Sequence, residues 1–391
     1  MSLLIAIIYM AFVSLGLPDS LLGSGWPVMH VEMNAPLSRA SIITSIIFIA
    51  TITSALLSDR LIRKLGTGKV TAFSVLLTAV SMMGFSLSGS FIALCLIAVP
   101  YGLGAGAIDA CLNNYVALHL SSRHMSWLHC CWGIGATISP YIMSASIASQ
   151  WGWRGGYRTV SFIQFALAAV MFAAIPLWKK GKEANGEEAE ESVKLSLPQI
   201  IKTPGVLIIC IAFALYCSIE QLPIVWASSY YSEIYHLSAE KAASFGSLFY
   251  IGMMTGRAAI GFVADRISDR RLIRWGMIVA LLSTLLIIIP FGSYRPSLAG
   301  FIILGLGCAP VYPSIVHSTP ENFGRQYSQS IIGVLMASAY TGMVISPIIF
   351  GKLTEIISLK YLPHCALILA AMILILTESL NRLVAKRKKE A

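Results

Sequence analysis

Charge is scarce in this sequence. Only 12% of its 391 residues are Asp, Glu, Lys or Arg, about half the roughly 25% carried by a soluble globular domain. With 57% hydrophobic residues and a mean hydropathy of +0.76, too little polar surface remains to wrap two or three water-soluble cores. The patterns that carry catalysis are also missing: no nucleophile and base pair, no phosphate-binding loop and no paired metal-ligand motif, so neither an enzyme nor a cofactor or metal is expected. All eight cysteines fall inside apolar runs, where they behave as small apolar residues and imply no disulfide framework. His129, Cys130 and Cys131 are adjacent, but neighbouring helix positions diverge, which argues against a metal site. The net charge of +10 would point to nucleic acid only if the basic residues formed one patch; they lie between apolar runs, and no nucleic acid partner is expected.

What is present is a succession of apolar runs of about 20 residues, the length that crosses a hydrocarbon core. Twelve are read, near 3–25, 39–58, 69–88, 91–117, 127–149, 158–178, 204–231, 240–264, 273–291, 297–317, 328–350 and 361–380. Backbone groups in lipid must be satisfied within their own segment, so the runs are helices and the expected fold class is an all-α membrane protein. The first run continues to about Leu22, longer than a signal-peptide core, so no cleavable signal is expected.

An even number of spans puts both termini on one side. Of the basic residues, 20 fall in segments on that side, 7 on the other, and Arg257 lies within a span; the excess marks the terminal side as cytoplasmic. A multi-pass protein of the plasma membrane, the inner membrane of the cell, with both termini cytoplasmic and a lipid bilayer as solvent, follows as the expectation. The polar stretch 179–203 carries Lys179, Lys180 and Lys182, then five glutamates from Glu183 to Glu191, and reads as a flexible cytoplasmic linker. It divides the chain into an N-terminal six-helix bundle, 1–178, and a C-terminal one, 204–380, followed by a basic tail, 381–391.

An internal repeat supports the division. Asp59-Arg60 recurs as Asp265-Arg266, Ile138-Ser139-Pro140 as Ile345-Ser346-Pro347, and Gly102-Leu103-Gly104 as Gly305-Leu306-Gly307, at offsets of 206, 207 and 203 residues. Asp19 in the first span faces Glu220 in the seventh at an offset of 201. Two pseudo-symmetric six-helix bundles around a midplane site are a recurring transporter design, because rocking one on the other exposes the site to each side in turn.

On these residues the sequence resembles the major facilitator superfamily over essentially its whole length. Ser58-Asp59-Arg60-Leu61-Ile62-Arg63-Lys64 and Gly261-Phe262-Val263-Ala264-Asp265-Arg266 resemble the two copies of that family's cytoplasmic loop motif. The resemblance implies that Asp59, Arg60, Arg63, Asp265 and Arg266 latch a cytoplasmic gate. Ala55 and Ile62 stand where glycines are usual. A narrower resemblance is to the fucose:proton symporter and sodium-dependent glucose transporter group. It rests on Gly102-Leu103-Gly104-Ala105-Gly106 with Asp109 and Asn113, on Leu128-His129 with Gly133-Ile134-Gly135-Ala136 and Ser139-Pro140, and on Tyr216, Glu220 and Trp226. Some relatives have Glu at the place of Asp109 and Asn at the place of Trp132.

Three acids, Asp19, Asp109 and Glu220, lie inside spans, where each costs roughly 2.5–3.5 kcal/mol at a helix centre on insertion scales and so faces a cavity or a partner. Asp109 shares one helix face with Gly102, Gly106 and Asn113, at i, i+4, i+7 and i+11. The glycines admit a neighbouring helix while the acid and amide face a cavity; the alternative is a satisfied contact between packed helices. Asp19 follows Pro18, where an irregular helix end would also suit a sodium site. Glu220 is either a coupling residue or a buried partner of Arg257, and His129 either a proton partner of Asp109 or a local hydrogen bonder. Trp26, Trp132, Trp226 and Tyr312 offer flat faces for a sugar ring, and Asn113 and Gln221 amides for its hydroxyls. Trp151, Trp153, Arg154 and Trp178 read as interface anchors.

The expected function is a secondary active transporter coupling a small polar solute, a sugar or glycoside, to protons or sodium, acting as a monomer. A proton-coupled exporter of organic cations is the rival within transporters, since three buried acids against one buried arginine would also attract a cation. A non-transporting receptor is the rival outside them.

Overall fold

A computed structural model gives the fold and describes residues 2–36, 39–178, 195–237, 245, 248–290 and 292–390. Every regular element among the described residues is helical. The first seven are α1 (Ser2–Asp19), α2 (Leu21–Glu32), α3 (Ala40–Leu65), α4 (Thr67–Leu87), α5 (Phe91–His119), α6 (Ser122–Ala148) and α7 (Gly152–Ala173). Then come the short α8 (Leu197–Lys202), α9 (Val206–Tyr235), α10 (Leu248–Val263), α11 (Asp269–Ile288) and α12 (Arg295–Cys308). The short α13 (Val311–His317) and α14 (Thr319–Phe323) lead to α15 (Ser328–Ile356) and α16 (Leu362–Glu390).

Among the described residues, ten helical stretches are long and apolar enough to cross a membrane, against the twelve expected. The two others correspond to α6 and α10. α6 has 27 residues but begins Ser-Arg-His and carries His129 and several serines, so it fails on composition; α10 shows only 16 described residues and fails on length. The expected break near Pro18 falls at Ser20, between α1 and α2. Most of the 179–203 linker lies outside the described residues; its last part is α8, whose start is held by the Ser196 N–H donating to Gln199 Oε1 at 2.7 Å. The basic tail expected at 381–391 continues the last span, since α16 runs unbroken to Glu390.

Two compact units emerge. The first comprises 1–115, 128–194 and 325–337, and the second 116–127, 195–324 and 338–391. In the first unit α4 lies along α7, with α1 against both. The core there stacks Phe85 on Tyr157 at 5.1 Å between centroids. α5 meets α3 so closely that a Cβ on Gly102 would lie 2.3 Å from the Ile47 carbonyl oxygen. In the second unit α11 lies along α12 and α16, and α10 along α12. There a Cβ on Gly305 would lie 2.2 Å from the Phe249 carbonyl oxygen. The repeated Gly-Leu-Gly thus marks, in each unit, a helix crossing at which only glycine lets the backbones touch.

Two of the expected interface anchors are packed residues instead. Trp153 is 1% exposed, its indole N–H donating to Glu32 Oε2 at 2.6 Å, while Arg154 pairs with the same carboxylate and reaches the Ser88 carbonyl at 2.9 Å. Trp178 is buried against Tyr115, 4.8 Å between ring centroids, and against Gly68. Trp151 alone of the three tryptophans is exposed. Partners within reach explain the difference: a tryptophan offered a hydrogen bond or a facing ring is drawn into the helix packing and not left at the lipid boundary.

Candidate functional site

In the first unit, α5 and α6 hold a buried polar chain. Asn113 on α5 is fully buried and donates through Nδ2 to the Asp109 carbonyl oxygen at 2.9 Å and to Asp109 Oδ1 at 2.8 Å. Its Oδ1 lies 3.2 Å from His129 Nε2 on α6. The His129 ring is packed edge-on against Phe12 of α1, 5.5 Å between centroids. The shared face predicted for Asp109 and Asn113 is therefore a hydrogen-bonded face, and Asn113 spends its amide on Asp109 and His129.

One helical turn along α6 from His129 stands Trp132, whose indole N–H donates to Asp19 Oδ2 at 2.8 Å; Tyr101 of α5 donates its hydroxyl to Asp19 Oδ1 at 2.6 Å. Asp19 itself is exposed although it sits at the end of an apolar helix. Both its oxygens take bonds from neutral donors, and each keeps lone-pair capacity for a further partner. Tyr101 was not legible in the sequence: it precedes Gly102 in an apolar run, and no spacing marks it.

The second unit holds its acid differently. Glu220 on α9 is 5% exposed and accepts from Arg257 Nη2 of α10 at 3.1 Å. Tyr216, one turn earlier, shares its single phenolic proton between Glu220 Oε1 and the Cys308 carbonyl, the latter at 2.8 Å. Tyr312 packs behind this cluster, its ring 4.6 Å from Phe213 and 6.4 Å from Tyr216. Of the two readings of Glu220, the geometry provides the ion pair with Arg257.

The other expected aromatic contacts lie in packing. Trp26 is 3% exposed, between His30 and Phe91. Trp226 packs on Phe350, 5.7 Å between centroids, and its indole nitrogen is buried with no hydrogen-bond partner among the described residues. Gln221, next to Glu220, is half-buried.

The two copies of the loop motif are also unlike. In the first unit Asp59 pairs with Arg63 one turn along α3, while Gln329 of α15 donates to Ser58 Oγ at 3.1 Å and Ser328 to Asn114 Oδ1 at 2.6 Å. In the second unit Asp265 accepts from the Arg123 N–H at 3.2 Å and pairs with the Arg123 guanidinium at 2.9 Å. Asp269 accepts from Ser122 at 2.7 Å and faces His317 Nδ1 at 2.6 Å, while His317 Nε2 faces the Leu120 carbonyl at 3.1 Å. Partial desolvation works against the Asp265 carboxylate, but the Ser121 hydroxyl, the Arg123 N–H and the Arg123 charge outweigh it and hold its pKa below the ordinary value. Arg60 and Arg266 are exposed. Asp269, His317 and Gln329 escaped the sequence reading because they flank the motif at irregular distances.

The sequence model of the Major Facilitator Superfamily matches residues 8–347 and 209–390. This chain belongs to that family. Among curated proteins it is 21% identical over 305 residues to Bypass of stop codon protein 6 of Saccharomyces cerevisiae, covering 70% of this chain and 61% of the yeast protein. The chain therefore spans less than two thirds of that relative. It is 22% identical over 367 residues to the glucose/mannose transporter GlcP of Bacillus subtilis, covering 89% of this chain and 87% of GlcP. Its fold matches a crystal structure of the Escherichia coli fucose:proton symporter FucP, in a single-residue variant, with a TM-score of 0.76, covering 97% and 98% of the two chains at 13% identity. Within the superfamily this chain is a multi-pass membrane transporter and not an enzyme.

Proposed function

We propose that this transporter moves a sugar or glycoside by alternating access, coupled to the proton gradient across the plasma membrane, with both termini and the 179–203 linker cytoplasmic and six helices on either side of that linker. The observation that carries the reading is the buried Asp109–Asn113–His129 chain one helical turn from the half-buried Trp132 and its bond to the exposed Asp19. Two titratable side chains joined within a membrane-spanning bundle form a site where one proton can be held and released. A carboxylate held beside an indole ring suits a polyhydroxylated solute, which needs an acceptor for its hydroxyls and a flat apolar face. The likeness to a glucose/mannose transporter supports the same substrate class.

In this reading Asp109 is the coupling residue, His129 its partner, and Asp19 with Trp132 the substrate contact. Glu220 serves the scaffold through Arg257, and Asp265 with Arg123 latches the cytoplasmic side. The test is uptake of a panel of radiolabelled hexoses into proteoliposomes with and without an imposed proton gradient. Wild-type protein accumulates at least one hexose only with the gradient inward, while Asp109→Asn equilibrates that hexose without accumulating it. Gradient-driven accumulation by Asp109→Asn at the wild-type level would overturn the coupling role. Stimulation by sodium at constant pH, or efflux of an organic cation in place of hexose uptake, would replace the ion or the substrate class.

A further inference from the structure

We propose that Arg271 on α11 and Arg382 on α16 form a binding site for the phosphate of an anionic phospholipid, in the leaflet where α16 ends. The site rests on the proposed topology only for the name of that leaflet, which is the cytoplasmic one, and not on the solute or ion carried.

The last span outruns the membrane. α16 has 29 residues, about 43 Å of helix against a hydrocarbon core of about 30 Å. Counted from Leu362, the core is used up near Arg382. With successive side chains turned by about 100°, Ile368, Met372, Ile375, Arg382, Lys386 and Lys389 fall within one arc of roughly 100°. The apolar members are 58%, 43% and 65% exposed, and the three basic members are exposed as well. One face of the helix therefore lies open along the hydrocarbon and turns wholly basic at headgroup depth. The other two basic residues of the tail point away from this face and are spent on protein: Arg387 donates to the Pro204 carbonyl, and Lys388 to Glu321 at 2.8 Å.

The neighbouring helix repeats the pattern. On α11, Arg271, Trp275 and Leu282 stand at i, i+4 and i+11 on one exposed face, and a tryptophan in that position marks the membrane boundary. Arg274 joins the two helices by holding Glu378 with both prongs, Nε to Oε1 at 2.6 Å and Nη2 to Oε2 at 2.7 Å. That pair sets the level of one helix against the other. α11 starts at the membrane face where α16 ends, so Arg271, one turn before Arg274, and Arg382, one turn after Glu378, each stand about 5–6 Å further toward the headgroups. Among the described residues neither guanidinium donates a hydrogen bond, and Arg382 meets Glu378 only through charge. The carboxylate between them is already held by Arg274, which leaves two arginine forks at one level for an anion. Planar guanidinium forks match phosphate oxygens, and basic groups between spans at the headgroup level are where anionic lipids are held. Acyl chains below such a headgroup run along Ile375 and Leu282, contacts that free phosphate does not make.

The test counts bound lipid. Full-length protein in detergent is titrated with short-chain phosphatidylglycerol or phosphatidylcholine and followed by native mass spectrometry. Phosphatidylglycerol is expected to bind saturably and at lower concentration than phosphatidylcholine. Arg271→Gln/Arg382→Gln weakens it at least fivefold, whereas Lys64→Gln/Lys69→Gln, which removes two exposed charges from the first unit, changes it less than twofold. Equal loss in the two double variants means diffuse attraction and overturns the site. So does equal affinity for the two lipids, or displacement of the lipid by inorganic phosphate at the lipid's own concentration. Should the arginine double variant fail to fold, Arg382→Gln is read against Lys64→Gln in the same way. The leaflet is a separate measurement: labelling of Lys389→Cys by an impermeant reagent from outside intact cells, beyond that of the unsubstituted protein, would overturn the proposed placement of the termini and leave the binding result standing.

Discussion

The two units hold the acids of their spans by opposite means. In the second unit Glu220 is paired with a buried arginine and braced by Tyr216; in the first, Asp19 is held by two neutral donors and Asp109 is tied by an amide to an imidazole. A carboxylate beside an arginine faces a partner that never gives up its proton. A carboxylate beside neutral or titratable partners can change charge without leaving one uncompensated. The corresponding positions Asp19 and Glu220 thus differ in their surroundings: Asp19 is exposed between two neutral donors, and Glu220 is buried against an arginine.

The largest effect expected from this contrast is on Glu220. Glu220→Gln leaves Arg257 as a buried uncompensated cation, at a cost of about 3–5 kcal/mol, read as a lowered thermal unfolding midpoint of purified protein. The double variant Glu220→Gln/Arg257→Met recovers most of that loss if the pair is scaffold. If the double variant folds well but no longer transports, the pair has a role beyond stability and the contrast breaks.

A smaller effect is expected at Asp19. Tyr101→Phe removes one donor from its carboxylate, worth about 1 kcal/mol, or roughly fivefold in hexose affinity, with stability nearly unchanged. Equilibrium binding of a transported hexose checks it, and an unchanged affinity would show that the orientation of Asp19 does not matter to the substrate.

The two loop motifs sharpen the comparison at the cytoplasmic end. Asp265 is held below its ordinary pKa, so its contribution is present above the ordinary carboxylate range and is lost only as pH falls through the lowered value. The Arg123 pair is thus constant across physiological pH. Its side chains are 44% and 32% exposed, and such a pair is worth about 0.2–1 kcal/mol and weakens with salt. Asp265→Asn should accelerate substrate exchange modestly at low salt and hardly at all at high salt, measured by counterflow. Asp59→Asn, whose partner Arg63 lies on its own helix, should show a weaker salt dependence.

The smallest effect separates two tryptophans that look alike in the sequence. Trp226 buries an indole N–H with no partner among the described residues, so in Trp226→Phe the relief of that desolvation offsets the lost volume, and stability stays within about 0.5 kcal/mol. Trp132→Phe loses the bond to Asp19 and should lower hexose affinity. A larger affinity loss at Trp226 than at Trp132 would return the sugar contact to the second unit.

Much of the molecule was open to a reader of the chain alone. Hydropathy summed over about 20 residues identifies a spanning helix because the cost of lipid exposure is additive and local. The Asp-Arg, Ser-Pro and Gly-Leu-Gly repeats are likewise local strings, and they were enough to indicate the family and to single out Asp19, Asp109 and Glu220 as residues needing a partner. The identity of those partners was decided only in three dimensions. Tyr101 reaches Asp19 across 82 residues and Trp132 across 113, and one residue's difference in position turns a side chain about 100° around its helix. Such pairings depend on how each helix is rotated and seated against its neighbours, which no local string specifies. For that reason the sequence by itself determined that charge was present within the spans and had to be satisfied, and the tertiary structure decided which acid is paired with an arginine and which are held by neutral or titratable groups.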